Sequence, residues 1–189
     1  MPGPPVAHAA ASLVLAALAL LQPAFAQTAL RPGFHAGSVI SDFGPVAAVE
    51  ISEPLPASAE FKVAFDVDEA AKPGTINRSI ESAARFINMH AEAEVPLQNI
   101  RIAIVVHGQA GFDLANPAKY AAKQDGAANA NLAAIAQLLG QGVEFHMCGQ
   151  SAAALGITRA DLAPGVKMAL SAMTAHALLQ QQGFTLNPF

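Results

Sequence analysis

The chain has little charge, no tryptophan and only one cysteine. Charged residues make up 13% of the 189 positions and hydrophobic residues 53%, which excludes a mainly disordered chain. A single cysteine excludes an intrachain disulfide framework and any multi-cysteine zinc or iron–sulfur site built by one chain. The formal charge of −4 is spread without runs and argues against nucleic acid as a partner. The length suits one domain.

The N-terminus has the pattern of a secretory signal peptide. Residues 9–21 are apolar and uncharged, too short for a membrane span of about 20 residues but typical of a signal-peptide core. Ala24-Phe25-Ala26 then fits a cleavage site. We predict a signal peptide over 1–26, cleavage after Ala26, a periplasmic or secreted location and no membrane attachment afterwards. No Lys or Arg precedes Arg31, so an uncleaved apolar anchor is the alternative.

Residues 27–59 form a leader that is rich in proline and glycine and has apolar residues interspersed. We predict an irregular segment that lies across the domain or a neighbouring subunit, because it is too apolar for a solvated linker. The residues behind this prediction are Pro32, Gly33, Phe34, Gly37, Val39, Ile40, Phe43, Gly44, Pro45, Val46, Pro54 and Pro56.

Strand and helix patterns alternate from residue 60 to the end. Predicted strands cover 61–67, 100–107, 143–148, 166–170 and 184–186, because these runs are apolar or alternate with period two. Predicted helices begin at Pro73-Gly74-Thr75, at 117, near 132, at 149–151 and after Ser171, which has the side chain of an N-cap. This order predicts a mainly parallel sheet with helices on both faces, and ligands beyond the carboxyl ends of its strands.

The only cysteine lies where a strand meets a helix. Cys148 ends the third predicted strand, and the N–H groups at the start of the next helix favour a thiolate, which lowers the pKa and raises reactivity. Gly149 allows a tight turn that leaves the sulfur uncovered, and Gln150 and Ser151 offer hydrogen-bond donors. The alternative is an inert buried thiol.

Other polar residues accompany the strand ends. His107 ends the second predicted strand, so it shares the ligand edge with Cys148 if the two strands are neighbours. His146 lies on the same strand face as Cys148 but deeper, which favours a structural role. Asp66 and Asp68 share one face of the first strand; such a pair supports acid–base chemistry, although a solvated strand end or an ion pair explains it more simply.

Several thiol chemistries require residues that this sequence does not have. A phosphatase or rhodanese loop of the form Cys-x5-Arg needs Arg at 154, where Ala154 stands. A dithiol oxidoreductase needs a second cysteine at 151, where Ser151 stands. The Cys148-Gly-Gln-Ser151 segment therefore permits monothiol exchange but no intramolecular disulfide, and it excludes covalent c-type haem.

The segments IRIAIVVHG (100–108), LAAIAQLLGQGVEFHMCGQSAAALGI (132–157) and LAPGVKMALSAMTAHALLQQQGFTLNPF (162–189) resemble the DsrE/DsrF-like sulfur-relay family. The resemblance covers residues 60–189 and is strongest to an exported branch with a signal peptide. It implies a three-layer α/β/α domain with a five-stranded, mainly parallel sheet, and assembly as a homo-oligomer, a trimer or hexamer. It also implies that Cys148 carries sulfane sulfur as a persulfide, with His107 and Gln150 on the polar edge around the sulfur.

Three hypotheses for the function follow. The first is a periplasmic sulfur carrier or transferase in which Cys148 takes sulfur from a small sulfur species and passes it to a partner thiol protein, with His107 orienting or deprotonating the thiol and the Gly149–Ser151 amides stabilising the anion. No cofactor is expected. The second is a metal-binding module using Cys148, His146 and His107. The third is an assembly protein without chemistry, whose working part is the leader.

Overall fold

The computed structural model describes Met1 and residues 30–187, which form seven strands and five α-helices. In chain order these are β1 (Phe34–His35), β2 (Val46–Ala47), β3 (Phe61–Val67), α1 (Arg78–Glu92), β4 (Ile100–Val106), α2 (Pro117–Lys123), α3 (Asn131–Gly140), β5 (Glu144–Cys148), α4 (Gly149–Leu155), β6 (Lys167–Ala169), α5 (Ala172–Gln181) and β7 (Thr185–Asn187). Short 3-10 helices lie at Leu97–Asn99, Gly108–Leu114 and Arg159–Asp161.

Five strands form one sheet in the order β6-β5-β4-β3-β7. Every pairing in this sheet is parallel, so all five carboxyl ends lie at the same edge. The predicted five-stranded α/β fold is therefore confirmed, and the sheet is entirely rather than mainly parallel. The end of β5, where Cys148 lies, is flanked by β4 on one side and β6 on the other.

Helices cover both faces of the sheet, and the residues of β4 show how the two faces differ. Ile102, Ile104 and Val106 enter the larger core with residues of α1 and α3. Ala103 and Val105 point the other way, into a smaller core with Ala175, Leu179 and Phe184. Both faces of β4 are buried, as its near-continuous apolar sequence requires. The second core is small because a single helix, α5, packs there.

The helix boundaries follow capping side chains. The Asn77 side chain accepts the N–H of Ser79 at 2.9 Å and caps α1. The helix therefore begins at Arg78 rather than at the predicted Pro73-Gly74-Thr75, because Asn77 supplies the N-cap oxygen that satisfies an otherwise free N–H. Ser171 caps α5 as predicted, accepting from the N–H of Thr174 at 3.0 Å. The short helix at 117–123 is also confirmed.

The described part of the leader, residues 30–59, lies across α1 of the same chain. Its two short strands, β1 and β2, pair antiparallel, so the segment is not irregular throughout. Ile40 is buried, and the buried side chain of Asn88 accepts the Ile40 N–H and donates to the Ile40 carbonyl, both at 2.9 Å. The Asn88 side chain on α1 thus supplies the hydrogen bonds that a neighbouring strand would supply in a sheet.

The predicted signal peptide, residues 1–26, lies outside the described residues except for Met1. In the part of the chain that the structure describes, no helix has the length and apolar character needed to cross a membrane.

Candidate functional site

Three strand ends and one helix place four reactive side chains around a cavity of about 450 Å³. Asp66 comes from β3, His107 follows β4, Cys148 ends β5 and His176 comes from α5. The complete lining is Asp66, His107, Cys148, Gln150, Ser151, Ser171, Ala172, Met173, His176 and Leu186. The expectation that His107 and Cys148 meet at one edge is met, because β4 and β5 are neighbours.

Strand register explains why these residues face the same side. Asp66 lies opposite Val105, and Val105 lies opposite His146. Val105 points towards α5, so its partners Asp66 and His146 do too. His107 follows Val105 by two residues, and Cys148 follows His146 by two. Because side chains alternate along a strand, His107 and Cys148 share that face. Helix α5 covers the face and brings His176 over it.

The sulfur of Cys148 lies where two helices begin. Gln150 and Ser151 are in the first turn of α4 and Ala172 begins α5, and the first N–H groups of a helix have no partner inside it. Burial raises the pKa of the Cys148 thiol. The Ser151 hydroxyl and the N–H groups of Ser151, Ala172 and Gln150 lower it by more, so the pKa lies below the ordinary thiol value. Cys148 as a whole residue is 5% exposed but lines the cavity.

Ser151 connects the ends of β4 and β5. Its Oγ accepts the N–H of Gly108 at 3.0 Å. The Ser151 oxygen thus accepts from the loop after β4, and the hydroxyl proton of Ser151 is free to be donated to the Cys148 sulfur. The predicted donor role of Ser151 thus has a geometric basis, since one hydroxyl serves both strand ends.

The other two predicted residues near the sulfur, Gly149 and Gln150, contribute through the backbone. A Cβ on Gly149 would lie 2.5 Å from the Ala169 carbonyl oxygen, so glycine is needed for the close approach of β6. The Gln150 side chain donates to the Leu170 carbonyl at 3.2 Å. Its backbone N–H, and not its amide group, acts on Cys148.

Asp66 joins the two histidines of the cavity. Its Oδ1 lies 2.7 Å from Nε2 of His176 and its Oδ2 lies 3.2 Å from Nε2 of His107. Burial raises the pKa of Asp66, but the hydrogen bonds from the two histidines outweigh burial and lower it. An ionised carboxylate only accepts hydrogen bonds, so both imidazoles hold their Nε2 proton towards Asp66. In a neutral imidazole the Nδ1 atom is then an acceptor.

The comparisons with known proteins agree with this architecture. The DsrE/DsrF-like family matches residues 62–188. The chain belongs to the DsrE/DsrF-like family. A solved structure, the protein of unknown function MTH1491 from Methanobacterium thermoautotrophicum, is similar over 69% of this chain and 100% of its own, with a TM-score of 0.52 and 22% identity. That likeness shows the shared fold. No curated protein sequence matches significantly.

Family membership suggests a sulfur-relay role for this DsrE/DsrF-like chain. The cavity geometry adds what this role needs physically: a thiol whose anion is favoured, at the carboxyl edge of a parallel sheet, beside polar side chains. Ligands of such sheets bind at this edge.

The described DsrE/DsrF-like domain does not contain the ligand cluster that the metal-binding alternative requires. Among residues 30–187, no group of three or more His, Cys, Asp or Glu side chains is arranged to hold a metal ion. His146 lies 3.5 Å from Glu144, which Lys167 also contacts at 2.6 Å. Burial lowers the pKa of His146, although the charge of Glu144 raises it. These contacts agree with the structural role expected for His146.

Sequence reasoning missed His176, while for Asp66 it favoured a simple strand-end or ion-pair role over a catalytic pair with Asp68. β3 ends at Val67, so Asp68 lies outside the strand and is exposed. Asp66 is hydrogen-bonded to His107 and His176 instead. His176 follows Ala172 by four residues, which places both on one face of α5. The available sequence signal was its position: a polar residue one turn into a helix that begins at the ligand edge is a candidate for the site.

Proposed function

We propose that this DsrE/DsrF-like protein is an exported sulfur carrier in which Cys148 holds sulfane sulfur as a persulfide. The observation that carries the proposal is the lowered pKa of Cys148, produced by donor groups from two helix N-termini at the edge of an open cavity. A thiolate is the nucleophilic form of cysteine. Family membership supports sulfur as the atom carried.

The loading step is a displacement at sulfur. A lone pair of the Cys148 thiolate forms a bond to the sulfane sulfur of the donor, and the donor's bond to that sulfur breaks with its electron pair remaining on the leaving fragment. Delivery repeats the step in reverse, because an acceptor thiolate takes the terminal sulfur and Cys148 departs as a thiolate. The donors at Ser151, Gln150 and Ala172 stabilise this anion as a leaving group. No oxidant is consumed in either direction.

The histidines have a different role from that of the helix N-termini. The groups that lower the pKa of Cys148 are the Ser151 hydroxyl and backbone N–H groups, and these groups rather than His107 favour the thiolate. His107 lines the cavity and is held by Asp66. In the proposal His107 orients the incoming donor or acceptor rather than deprotonating the thiol.

Intact-protein mass spectrometry tests the proposal. The protein is incubated with inorganic polysulfide, and Cys148→Ser is the matched control, since it keeps a small polar side chain. A mass gain of whole sulfur atoms, reversed by a phosphine or thiol reductant and absent from the control, is expected. No gain in a protein whose thiol still reacts with iodoacetamide contradicts the carrier function.

Export and assembly belong to the same proposal. N-terminal sequencing of the protein recovered from the periplasm of an expressing bacterium should begin at Gln27. Analytical ultracentrifugation should give the mass of a trimer or hexamer. A chain that keeps residues 1–26, or a monomer at all concentrations, would contradict these two points while leaving the cysteine chemistry to be judged by the mass measurement.

A further inference from the structure

The described lining of the cavity beside Cys148 has no permanent positive charge. None of the lining residues among 30–187 is Lys or Arg. Cys148 as thiolate and Asp66 as carboxylate are both negative, and among these lining residues only the imidazoles of His107 and His176 can oppose them. Even with both imidazoles protonated the four charges only cancel, so the cavity is never net positive when Cys148 is ready to react.

The partial positive charges of the helix N-termini do not change this balance. The N–H groups of Gln150, Ser151 and Ala172 act on the Cys148 sulfur itself. They stabilise the thiolate and are not available to a second anion. An anionic sulfur oxyanion such as thiosulfate therefore meets like charge without a compensating cation, and this disfavours its approach.

The mouth of the cavity is apolar. Met173 lies in the first turn of α5 and is 79% exposed, and Leu186 on β7 is 50% exposed. Both line the cavity, next to the methyl group of Ala172. Exposed side chains of this kind gain free energy when an apolar group covers them, so the entrance suits an organic substituent rather than a hydrated ion.

We propose that the sulfur donor of this site is a small organic hydropersulfide, R–S–S–H, with an apolar R group, bound in its uncharged form. The inference rests on the proposed carrier function and names its substrate class. R contacts Met173 and Leu186 at the mouth, and Cys148 attacks the terminal sulfur.

The step balances without another reagent. The Cys148 thiolate forms a sulfur–sulfur bond to the terminal sulfur, the R–S to S–H bond breaks, and its electron pair leaves with the thiolate R–S⁻. The terminal sulfur keeps its proton, so the products are the Cys148 hydropersulfide and R–S⁻. One sulfur–sulfur bond is made and one is broken, and no net oxidation occurs.

The test compares two sulfur donors on the mature protein. Intact-protein mass spectrometry measures the rate at which Cys148 is loaded with sulfur. The donors are tert-butyl hydropersulfide and thiosulfate, and each rate is divided by the rate of the same donor with free cysteine thiolate, which removes intrinsic reactivity. The expected normalised preference for the hydropersulfide is about tenfold or more, the size of effect that one or two unscreened like charges produce.

A pair of charge-adding variants on one helix tests the cause. Met173→Lys places a cation at the mouth and should raise the rate of loading by thiosulfate several-fold. The normalised preference for the hydropersulfide over thiosulfate should therefore become smaller. Leu178→Lys makes the same change on α5 at an exposed leucine that does not line the cavity, and should leave the preference unchanged. Both positions are exposed, so neither variant is expected to disturb folding.

The outcomes separate the two proposals. Equal or faster normalised loading by thiosulfate overturns the substrate assignment and leaves the carrier function intact. If Met173→Lys leaves the preference for hydropersulfide over thiosulfate unchanged, the substrate assignment is also overturned, because charge then does not determine which donor is preferred. If polysulfide, hydropersulfide and thiosulfate all fail to load a thiol that iodoacetamide shows to be free, the carrier function itself fails.

Discussion

The Nε2 atom of His176 lies 2.7 Å from Oδ1 of Asp66, and this contact joins α5 to the first strand of the central sheet across 110 residues of chain. The same carboxylate holds His107 through its other oxygen at 3.2 Å. One aspartate therefore orients two imidazoles from different elements beside Cys148. Neither histidine keeps its orientation by packing alone, since each is partly exposed.

Asp66→Asn is expected to lower stability slightly and in a pH-dependent way. The pKa of Asp66 is below its ordinary value of 3.8, so its contribution is present above about pH 4 and is lost as pH falls through the folded-state pKa. The side chain is 36% exposed, so solvent limits the loss to about 1 kcal/mol or less. Urea unfolding should show the full difference near pH 5, and the difference should shrink as pH falls below about 4. A difference that persists unchanged in acid would contradict the ionic role.

Alkylation of Cys148 should report its lowered pKa directly. The rate with iodoacetamide follows the thiolate fraction, so its midpoint on a pH scale should lie below the value of a free thiol. Unfolding the protein in urea should return the midpoint to that value. A folded-state midpoint at or above it would remove the basis of the proposed nucleophile.

The same pKa shift predicts a pH-dependent stability. A thiol whose folded pKa is depressed stabilises the fold above the unfolded pKa, and this contribution is lost as pH falls through the folded pKa. The free energy of unfolding of the natural protein minus that of Cys148→Ser should therefore rise as pH goes from about 6 to about 9. A flat difference would mean that ionisation of Cys148 is not coupled to folding.

Ser151→Ala should make Cys148 less reactive at neutral pH. The substitution removes the hydroxyl that lowers the thiol pKa and accepts the Gly108 N–H. Loss of one hydrogen bond to a charged group, worth about 1.5 kcal/mol, should lower the alkylation rate at pH 7 by about tenfold. Ser41→Ala, at an exposed position on the leader, is the control and should have no effect. An unchanged rate in Ser151→Ala would assign the lowered pKa to the backbone donors alone.

The sheet was predictable because its signals are local, and the site was only partly so. Alternation along β3 and the apolar run of β4 mark strands without reference to the rest of the chain, and Ser171 marks a helix start by its side-chain chemistry. The position of Cys148 at a strand end follows from the same signals. His176 could not be placed beside Asp66, because that contact depends on which face α5 covers, and one sequence does not contain that information.

Gly149→Ala is expected to disturb the site through β6. A methyl group at 149 would lie 2.5 Å from the Ala169 carbonyl oxygen and 3.0 Å from that of Leu170, and backbone atoms cannot move aside cheaply. The cost should be about 1–3 kcal/mol, typical of an overpacked position. Gly140→Ala is the matched control, since nothing lies within 4 Å of its added methyl group, and a helical alanine there should be neutral or stabilising. Chemical denaturation of both variants measures the difference, and equal midpoints would contradict the close packing of the start of α4 against the end of β6.

Asn88→Ala should release the leader from the domain. The Asn88 side chain is fully buried and holds both the N–H and the carbonyl of Ile40, along with the Gly44 carbonyl at 3.0 Å. Alanine leaves these buried backbone groups without partners, at a cost of about 3 kcal/mol. Asn99→Ala is the control, because the only hydrogen bond described for that side chain is to the Ala59 carbonyl, at 3.2 Å, and about 1 kcal/mol is expected.

Hydrogen exchange distinguishes release of the leader from general destabilisation. In Asn88→Ala the Ile40 amide should lose its protection, while amides of β4, which is central in the sheet, should change only as much as the global stability does. Uniform loss across leader and sheet would show that residues 30–59 fold as one unit with the domain. Retained protection at Ile40 would show that apolar packing of that side chain, and not Asn88, holds the leader on α1.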